Sequence, residues 1–336
     1  DPPEAPFFWP IPTLAQRVVH TRPTLRHRLE YGAFRLLDGV LGRMPMATVQ
    51  ALGEVAGTVF RLVDARHRRV VRDNLRKSGL AASEAEARAL SRICFKHFGA
   101  LFVGLLRLRR ATPEELIRWI HVEGLEHFDA AQAEGKGFIQ LTGHYGHWEV
   151  IALGQSLHGR TVDAIGRELD NPLLEPISHG FRTRFGNQVI LKKGAMRGTL
   201  KALKAGRGVG FLLDQDALGM GIFVRFLGQW ASTFPTAGNL AVRYGLPILP
   251  VFSWPNADGS WTVRFEPPFH APVTGDLARD EWTATQLMTA RIEAQIRKDP
   301  RWWFWMHNRF KTQPDPGASA PLPPADWVES LQPPLV

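Results

Sequence analysis

The sequence predicts an α/β protein: a mixed, mostly parallel central sheet flanked by helices and preceded by an N-terminal helical region. Three observations predict it. Apolar positions recur at helical spacing from Leu14 to Leu108. After Pro113 short apolar runs alternate with helical segments. A hydrophobic content of 44% with 22% charged residues suits a chain that buries a sizeable core. Strands that alternate with helices are satisfied by a sheet with helices on its faces.

The N-terminal pattern breaks at Pro23, at Met44-Pro45 and at Ser78-Gly79, which gives four or five helices. None of its runs reaches the roughly 18 to 20 uninterrupted apolar residues of a spanning helix. Tyr31 to Val63, interrupted by Arg43, Pro45 and Glu54, instead reads as two amphipathic pieces that lie on a bilayer. The basic cluster Arg66-His67-Arg68-Arg69 with Arg72, Arg76 and Lys77 suits a solvated face or contact with acidic headgroups. Residues 1–112 are therefore expected to form a helical, membrane-associating region, residues 113–312 the α/β domain, and residues 313–336 an irregular Pro/Ala-rich tail.

Within the α/β part, Gly137 to Thr142 reads as a strand and His147 to Leu157 as a helix. Thr161 to Gly166 is the next strand and Leu173 to Phe185 the next helix. Val189 to Leu191, a helix from Met196 to Ala205, and Val209 to Leu213 continue the alternation. Leu246 to Phe252 and Trp261 to Phe265 add two strands.

A formal charge of +9 makes an anionic partner surface the natural one: nucleic acid, lipid headgroups or phosphorylated carriers. The single cysteine, Cys94, forms no internal disulfide and assembles no thiolate metal site.

The segment Leu141-Thr142-Gly143-His144-Tyr145-Gly146-His147-Trp148-Glu149 concentrates the chemistry. It places two histidines, two glycines and a carboxylate where a strand hands over to a helix. Each helical residue turns by about 100 degrees, so His144 and Glu149 meet only if His144 sits in the loop and Glu149 reaches back from the first turn. There the carboxylate would accept the imidazole N–H and stabilise the imidazolium. Gly143 and Gly146 would let backbone N–H groups face a developing oxyanion. The competing readings are a histidine that caps a helix and a metal set of His144, His147 and Glu149. The zincin spacing of four residues is absent, which disfavours the metal, and no Gly-x-Ser-x-Gly elbow occurs.

His144-Tyr145-Gly146-His147-Trp148-Glu149 resembles the His-x4-Asp/Glu signature of the lipid A biosynthesis acyltransferases, the late lauroyl and myristoyl transferases of the lysophospholipid acyltransferase superfamily. Further blocks follow in the order of that family. Arg167-Glu168-Leu169-Asp170-Asn171-Pro172 is similar to its Arg-x-x-x-Asn-Pro block, and Lys193-Gly194 with Leu200 to Gly206 to its next helix. Asp214-Gln215-Asp216, with Thr233 and Pro235 after it, resembles its Asp-Gln-Asp segment. Trp302 to Thr312 resembles its Trp-x-His-x-Arg-x-Lys-Thr ending. The resemblance covers about Tyr31 to Thr312.

The resemblance implies an O-acyltransferase with His144 as general base and Glu149 as its partner. The donor would be a thioester of acyl carrier protein or coenzyme A, and the acceptor a hydroxyl of a lipid A-type or other glycolipid. It implies no cofactor, no metal and no nucleic-acid partner, and a place at the anionic membrane surface on the cytoplasmic face of the bacterial inner membrane. Arg167 is the candidate for holding a phosphate or countering the oxyanion. Asn171, Asp214, Gln215, Asp216, His147 and Arg309 are the remaining substrate-binding candidates; capping, or a salt bridge to Arg225, is the plain alternative for the two aspartates. His147 stands where that family often carries Asn. Trp302, Trp303 and Trp305 read as core. The competing functions are a glycerol-phosphate or lysophospholipid acyltransferase and a non-catalytic protein that binds anionic membranes.

Overall fold

Thr24 starts the first helix with a capping box: its hydroxyl accepts the His27 N–H, and the His27 ring accepts the Thr24 N–H. The structure, a computed structural model, describes residues 22–192, 194–314 and 322–331. The start of the helical pattern at Leu14, Lys193 and part of the tail lie outside the described residues.

Helices α1 (Leu25–Leu41), α2 (Met46–Val63), α3 (Ala65–Ser78) and α4 (Glu84–Arg110) form the N-terminal layer. Asp64 caps α3, and Gly79 ends it in the left-handed conformation. Ser83 caps α4. Among the described residues α4 alone is long and apolar enough to cross a membrane by length and composition. Its inner face, with Cys94, Phe95, Phe98 and Leu101 buried, nevertheless packs into the same core as the sheet.

After α5 (Pro113–Trp119), capped by Thr112 and Glu115, come β1 (Ile120–Glu123), α6 (Leu125–Ala133), β2 (Phe138–Thr142), α7 (Trp148–Leu157), β3 (Val162–Gly166), α8 (Glu175–Thr183), β4 (Gln188–Leu191), α9 (Ala195–Lys204) and β5 (Gly208–Leu212). A hairpin of β6 (Ile222–Phe226) and β7 (Gln229–Thr233) stands apart from the main sheet. Helix α10 (Thr236–Tyr244), β8 (Ile248–Pro255), β9 (Trp261–Phe265) and α11 (Leu277–Lys298) complete the domain. The main sheet runs β1-β9-β8-β2-β5-β3-β4. Every neighbouring pair is parallel except β8 and β9, so the expected mostly parallel sheet is what forms. All five residues of β2 are buried, as a central parallel strand covered on both faces requires.

The sequence pattern leaves out α5, β1, α6, the hairpin, α10 and α11. Inside the tail expected to be irregular, Ala325–Glu329 forms a short helix, α12, and brings Trp327 within 6.0 Å of Trp282.

Candidate active site

Two adjacent strands deliver the central pair. β2 and β5 are parallel with Thr142 opposite Leu212. Two residues beyond the carboxyl end of each strand therefore put His144 beside Asp214, where α/β sheets place their ligands. The imidazole Nδ1 lies 2.8 Å from Asp214 Oδ1, and the His144 backbone N–H donates to Oδ2 at 2.6 Å. The Trp303 indole N–H donates to the same Oδ2 at 2.8 Å. A carboxylate only accepts, so Nδ1 carries the proton and the Nε2 lone pair is left outward. The Gln215 amide nitrogen stands 3.4 Å from that Nε2. Burial would push the Asp214 carboxyl up. The adjacent His144, its ring and backbone hydrogen bonds and the Trp303 indole outweigh burial and hold it down to about 2.

The expected hydrogen bond between His144 and Glu149 is not what forms. His144 is in the loop and Glu149 in the first turn of α7, as the spacing demanded. The Glu149 carboxylate points to α8, however, where it accepts from Arg182 Nη2 at 2.8 Å. Near His144 the α7 side chain is Trp148, whose ring is 4.9 Å from the imidazole and edge-on to it. Glu149 and Arg182 line an apolar groove of about 200 Å³ between α1, α4, α7 and α8, with Phe34, Leu105, Leu174, Ile177 and Phe181 among its walls.

The loop that carries His144 is held from every side. The Gly146 N–H, expected to face an oxyanion, instead donates to the Trp302 carbonyl at 2.8 Å, and Phe304 N–H donates to the His144 carbonyl at 2.9 Å. Gly146 has φ +57, and a Cβ there would overlap the Ser253 carbonyl, so the turn requires glycine. His147 N–H donates to Ser253 Oγ, and His97 Nε2 lies 3.0 Å from the Gly146 carbonyl. Burial pushes the His97 imidazole down to about 4, so it is the neutral ring that donates. Among the described residues the N-terminus of α7 has no side-chain cap; Val150 N–H donates to the His147 carbonyl at 2.9 Å, and the positive end of the helix dipole lies at the end of the His144 loop.

Four expected substrate-binding side chains are committed inside the protein. His147 is 1% exposed and packs its ring against Trp261. Neither of its ring nitrogens has a partner among the described residues, and burial, then His97, lowers it to about 3. Asn171 donates to the His27 carbonyl and to Glu30, tying α1 to the loop after β3. Asp216 accepts from Thr312 and Leu218, while Arg225 lies over Trp230 rather than pairing with it. Arg309 is fully buried. It donates to the carbonyls of Gln215 and Ser232 and to Thr233 Oγ1, and stacks over Phe226, so it braces the Asp214-Gln215-Asp216 turn from behind. Burial lowers its guanidinium to about 10, which leaves it charged. Arg167, at the carboxyl end of β3, is exposed and pairs with Asp170 at 2.8 Å.

Three contributors went unread as site residues in the sequence. Trp303 is core, as its sequence setting predicts, but its indole N–H also holds Asp214. His97 and Ser253 sit far away in sequence and support the loop. A capped, apolar α4 running past a Gly-rich loop gives no local signal of that contact.

The chain matches the bacterial lipid A biosynthesis acyltransferase family over residues 21–312. It is 28% identical over 281 residues to the lipid A biosynthesis lauroyltransferase of Escherichia coli, covering 81% of this chain and 88% of that protein. It is 27% identical to the E. coli lipid A biosynthesis palmitoleoyltransferase, with the same coverage. It is 24% identical to the phosphatidylinositol mannoside acyltransferase of Mycobacterium tuberculosis, over 63% of this chain and 67% of that protein. With its sheet, its histidine loop and its ordered blocks all inside the matched span, the chain belongs to the bacterial lipid A biosynthesis acyltransferase family.

Proposed function

We propose that this acyltransferase moves a fatty acyl group from a thioester of acyl carrier protein or coenzyme A to a hydroxyl of a lipid A-type glycolipid, at the cytoplasmic face of the bacterial inner membrane. The observation that carries the reading is His144, paired through Nδ1 to buried Asp214 in the loop that leads into α7, the helix whose Glu149 lines an apolar groove together with Arg182.

His144 Nε2 takes the proton of the acceptor hydroxyl as its oxygen attacks the thioester carbonyl. Asp214 holds the proton-bearing Nδ1 and stabilises the imidazolium. The positive end of the α7 dipole, with the Trp148 and Glu149 N–H groups, favours the negative oxygen of the tetrahedral intermediate, which collapses with loss of the carrier thiolate. That thiolate leaves with the proton from Nε2. The acyl chain lies in the groove. Glu149, neutralised by Arg182, forms its polar end and positions the thioester against His144. Arg167, exposed at the carboxyl end of β3, is the guanidinium that meets a phosphate of donor or acceptor once it leaves Asp170. The basic surface suits either carrier, since both are acidic.

Acyl transfer measured with defined thioesters and glycolipid acceptors tests this. His144→Ala should abolish turnover. Asp214→Asn should lower kcat by about a thousandfold or more, the scale for removing the carboxylate that holds a catalytic imidazole. Glu149→Gln should cost about tenfold to a hundredfold, with KM for donor moving too. If Glu149→Gln matches Asp214→Asn in kcat with KM unchanged, Glu149 is the working partner and Asp214 a structural group. Preference for a mannosylated phosphatidylinositol over a lipid A precursor would move the acceptor to that of the mycobacterial relative.

A further inference from the structure

Among the described residues the Nε2 edge of His144 has one polar neighbour. Asp214 occupies Nδ1, the Trp148 ring stands edge-on, and the Phe304 ring lies 6.2 Å away, which leaves the imidazole side chain 19% exposed. The neighbour is the Gln215 amide nitrogen, 3.4 Å from Nε2. Chemistry decides which end of that amide faces the ring. Nδ1 carries the proton, so Nε2 offers only a lone pair, and an amide oxygen there would meet it with another. The NH2 end therefore faces Nε2, as a donor at the long limit of a hydrogen bond.

The main chain of Gln215 is fixed on both sides. Its carbonyl accepts from Arg309 Nη1 at 2.9 Å. The next N–H, of Asp216, donates to His307 Nε2 at 2.8 Å, and the Asp216 carboxylate accepts from the N–H and hydroxyl of Thr312. The side-chain amide, by contrast, has no partner besides His144 among the described residues, and the residue is only partly buried. A rigid turn thus presents a neutral donor, free to rotate, at the atom where the proposed reaction starts.

The contact with Nε2 must break during turnover. The acceptor hydroxyl has to come within about 3 Å of Nε2 to deliver its proton, which takes the place of the amide. Once Nε2 is protonated, it and the amide are two donors facing each other. The carbonyl oxygen under attack is two bonds from the attacking oxygen, and there the displaced N–H meets growing negative charge.

We propose that Gln215 is the side-chain donor to the oxyanion: its amide N–H rests on the His144 lone pair before substrate binds and turns to the thioester carbonyl oxygen when the acceptor hydroxyl arrives. As the new C–O bond forms, the hydroxyl proton passes to His144 Nε2 and the carbonyl π pair moves onto its oxygen, where the amide donates. On collapse the pair returns, the C–S bond breaks, and the thiolate leaves with the proton. The α7 dipole acts on that oxygen as a field, whereas the amide bonds to it directly. The inference rests on the proposed role of His144 as general base.

Steady-state acyl transfer by Gln215→Leu, which keeps the bulk and removes the donor, tests it beside His144→Ala. The kcat should fall about a hundredfold to a thousandfold, the scale for one oxyanion donor, with KM for donor and acceptor within about threefold of the parent. Gln215→Glu keeps the length and replaces the donor with an acceptor. It should lose at least as much, and it decides the matter if circular dichroism shows the Leu variant unfolded. A Gln215→Leu enzyme with parental or higher kcat would reduce the amide to a cap on the base, and an unchanged kcat with raised KM would make it a substrate clamp. Either result, with His144→Ala inactive, overturns the oxyanion donor and leaves the base standing. Turnover that survives His144→Ala overturns the base, and the inference with it.

Discussion

The loop around His144 and the outer face of α2 are built on opposite economies. In the loop nearly every polar group is engaged: His144 through ring, N–H and C=O, Gly146 through both backbone groups, Asp214 through three donors. On α2 the inner face packs through glycines against α4, while Val55, Val59, Leu62 and Val63 remain exposed. A general base must be held in one orientation, which takes many small bonds in a dry site. A helix that rests on a bilayer, as expected of α2 from its sequence, needs only a continuous apolar surface, since lipid supplies the missing contacts. Substitutions should therefore cost stability in the first region and association in the second.

The largest effect is expected at Arg309. Replacing it with Leu strands the carbonyls of Gln215 and Ser232 and the hydroxyl of Thr233 in a buried place, and removes a buried positive charge that Asp214 and Asp216 favour. Three buried acceptors without donors should cost about 3 to 5 kcal/mol in chemical denaturation. Turnover should fall as well, because the Gln215 carbonyl fixes the turn that presents Asp214. A stable Arg309→Leu protein that has lost only substrate affinity would show the guanidinium to be a ligand after all.

Next comes acid lability through His147. Its folded value of about 3 lies below the ordinary 6.5, so the unfolded chain takes up a proton that the folded one refuses. The ring's contribution to stability is therefore intact above pH 6.5 and drains away as pH falls toward 3. The slope is about 1.4 kcal/mol per pH unit, or roughly 3 kcal/mol between pH 6.5 and pH 4. Asn does not titrate, so His147→Asn should flatten that limb by this amount in denaturation curves taken across the range. An unaltered acid limb would assign the lability elsewhere.

The readable part of the molecule was the part with local periodicity. β2, β3, β5 and α7 announced themselves by apolar runs and helical spacing, because both faces of a central strand are buried and one face of each helix is. β1 did not: it is four residues at a sheet edge with a single fully buried position, Ile120. α11 was within reach, since Asp276 caps it and Met288, Ile292 and Ile296 follow at steps of four. The site divided in the same way. His144 and Asp214 were both named from their blocks. Their pairing was not, because it depends on the register of two parallel strands whose ends lie 70 residues apart in sequence. Glu149 looked like the partner because it was near in sequence. The step of about 100 degrees from Trp148 to Glu149 on α7 carries its carboxylate across to Arg182 instead.

The smallest effect on folding is expected on α2, and there the comparison is sharpest. Val59→Ser with Leu62→Ser removes apolar side chains that are more than half exposed already, so the denaturation midpoint should shift by no more than about 0.5 kcal/mol. A membrane would see the same change differently. Each CH₂ group withdrawn from lipid costs about 0.8 kcal/mol, so retention on neutral phosphatidylcholine vesicles, where charge plays no part, should drop at least tenfold. The two readings pull apart cleanly. A lowered midpoint means the strip is covered by protein and belongs to the core, whereas an unshifted midpoint with unshifted retention means that α2 touches neither core nor lipid through these residues. Only the split, unchanged folding with lost retention, makes the exposed strip a surface that the fold leaves bare for the bilayer.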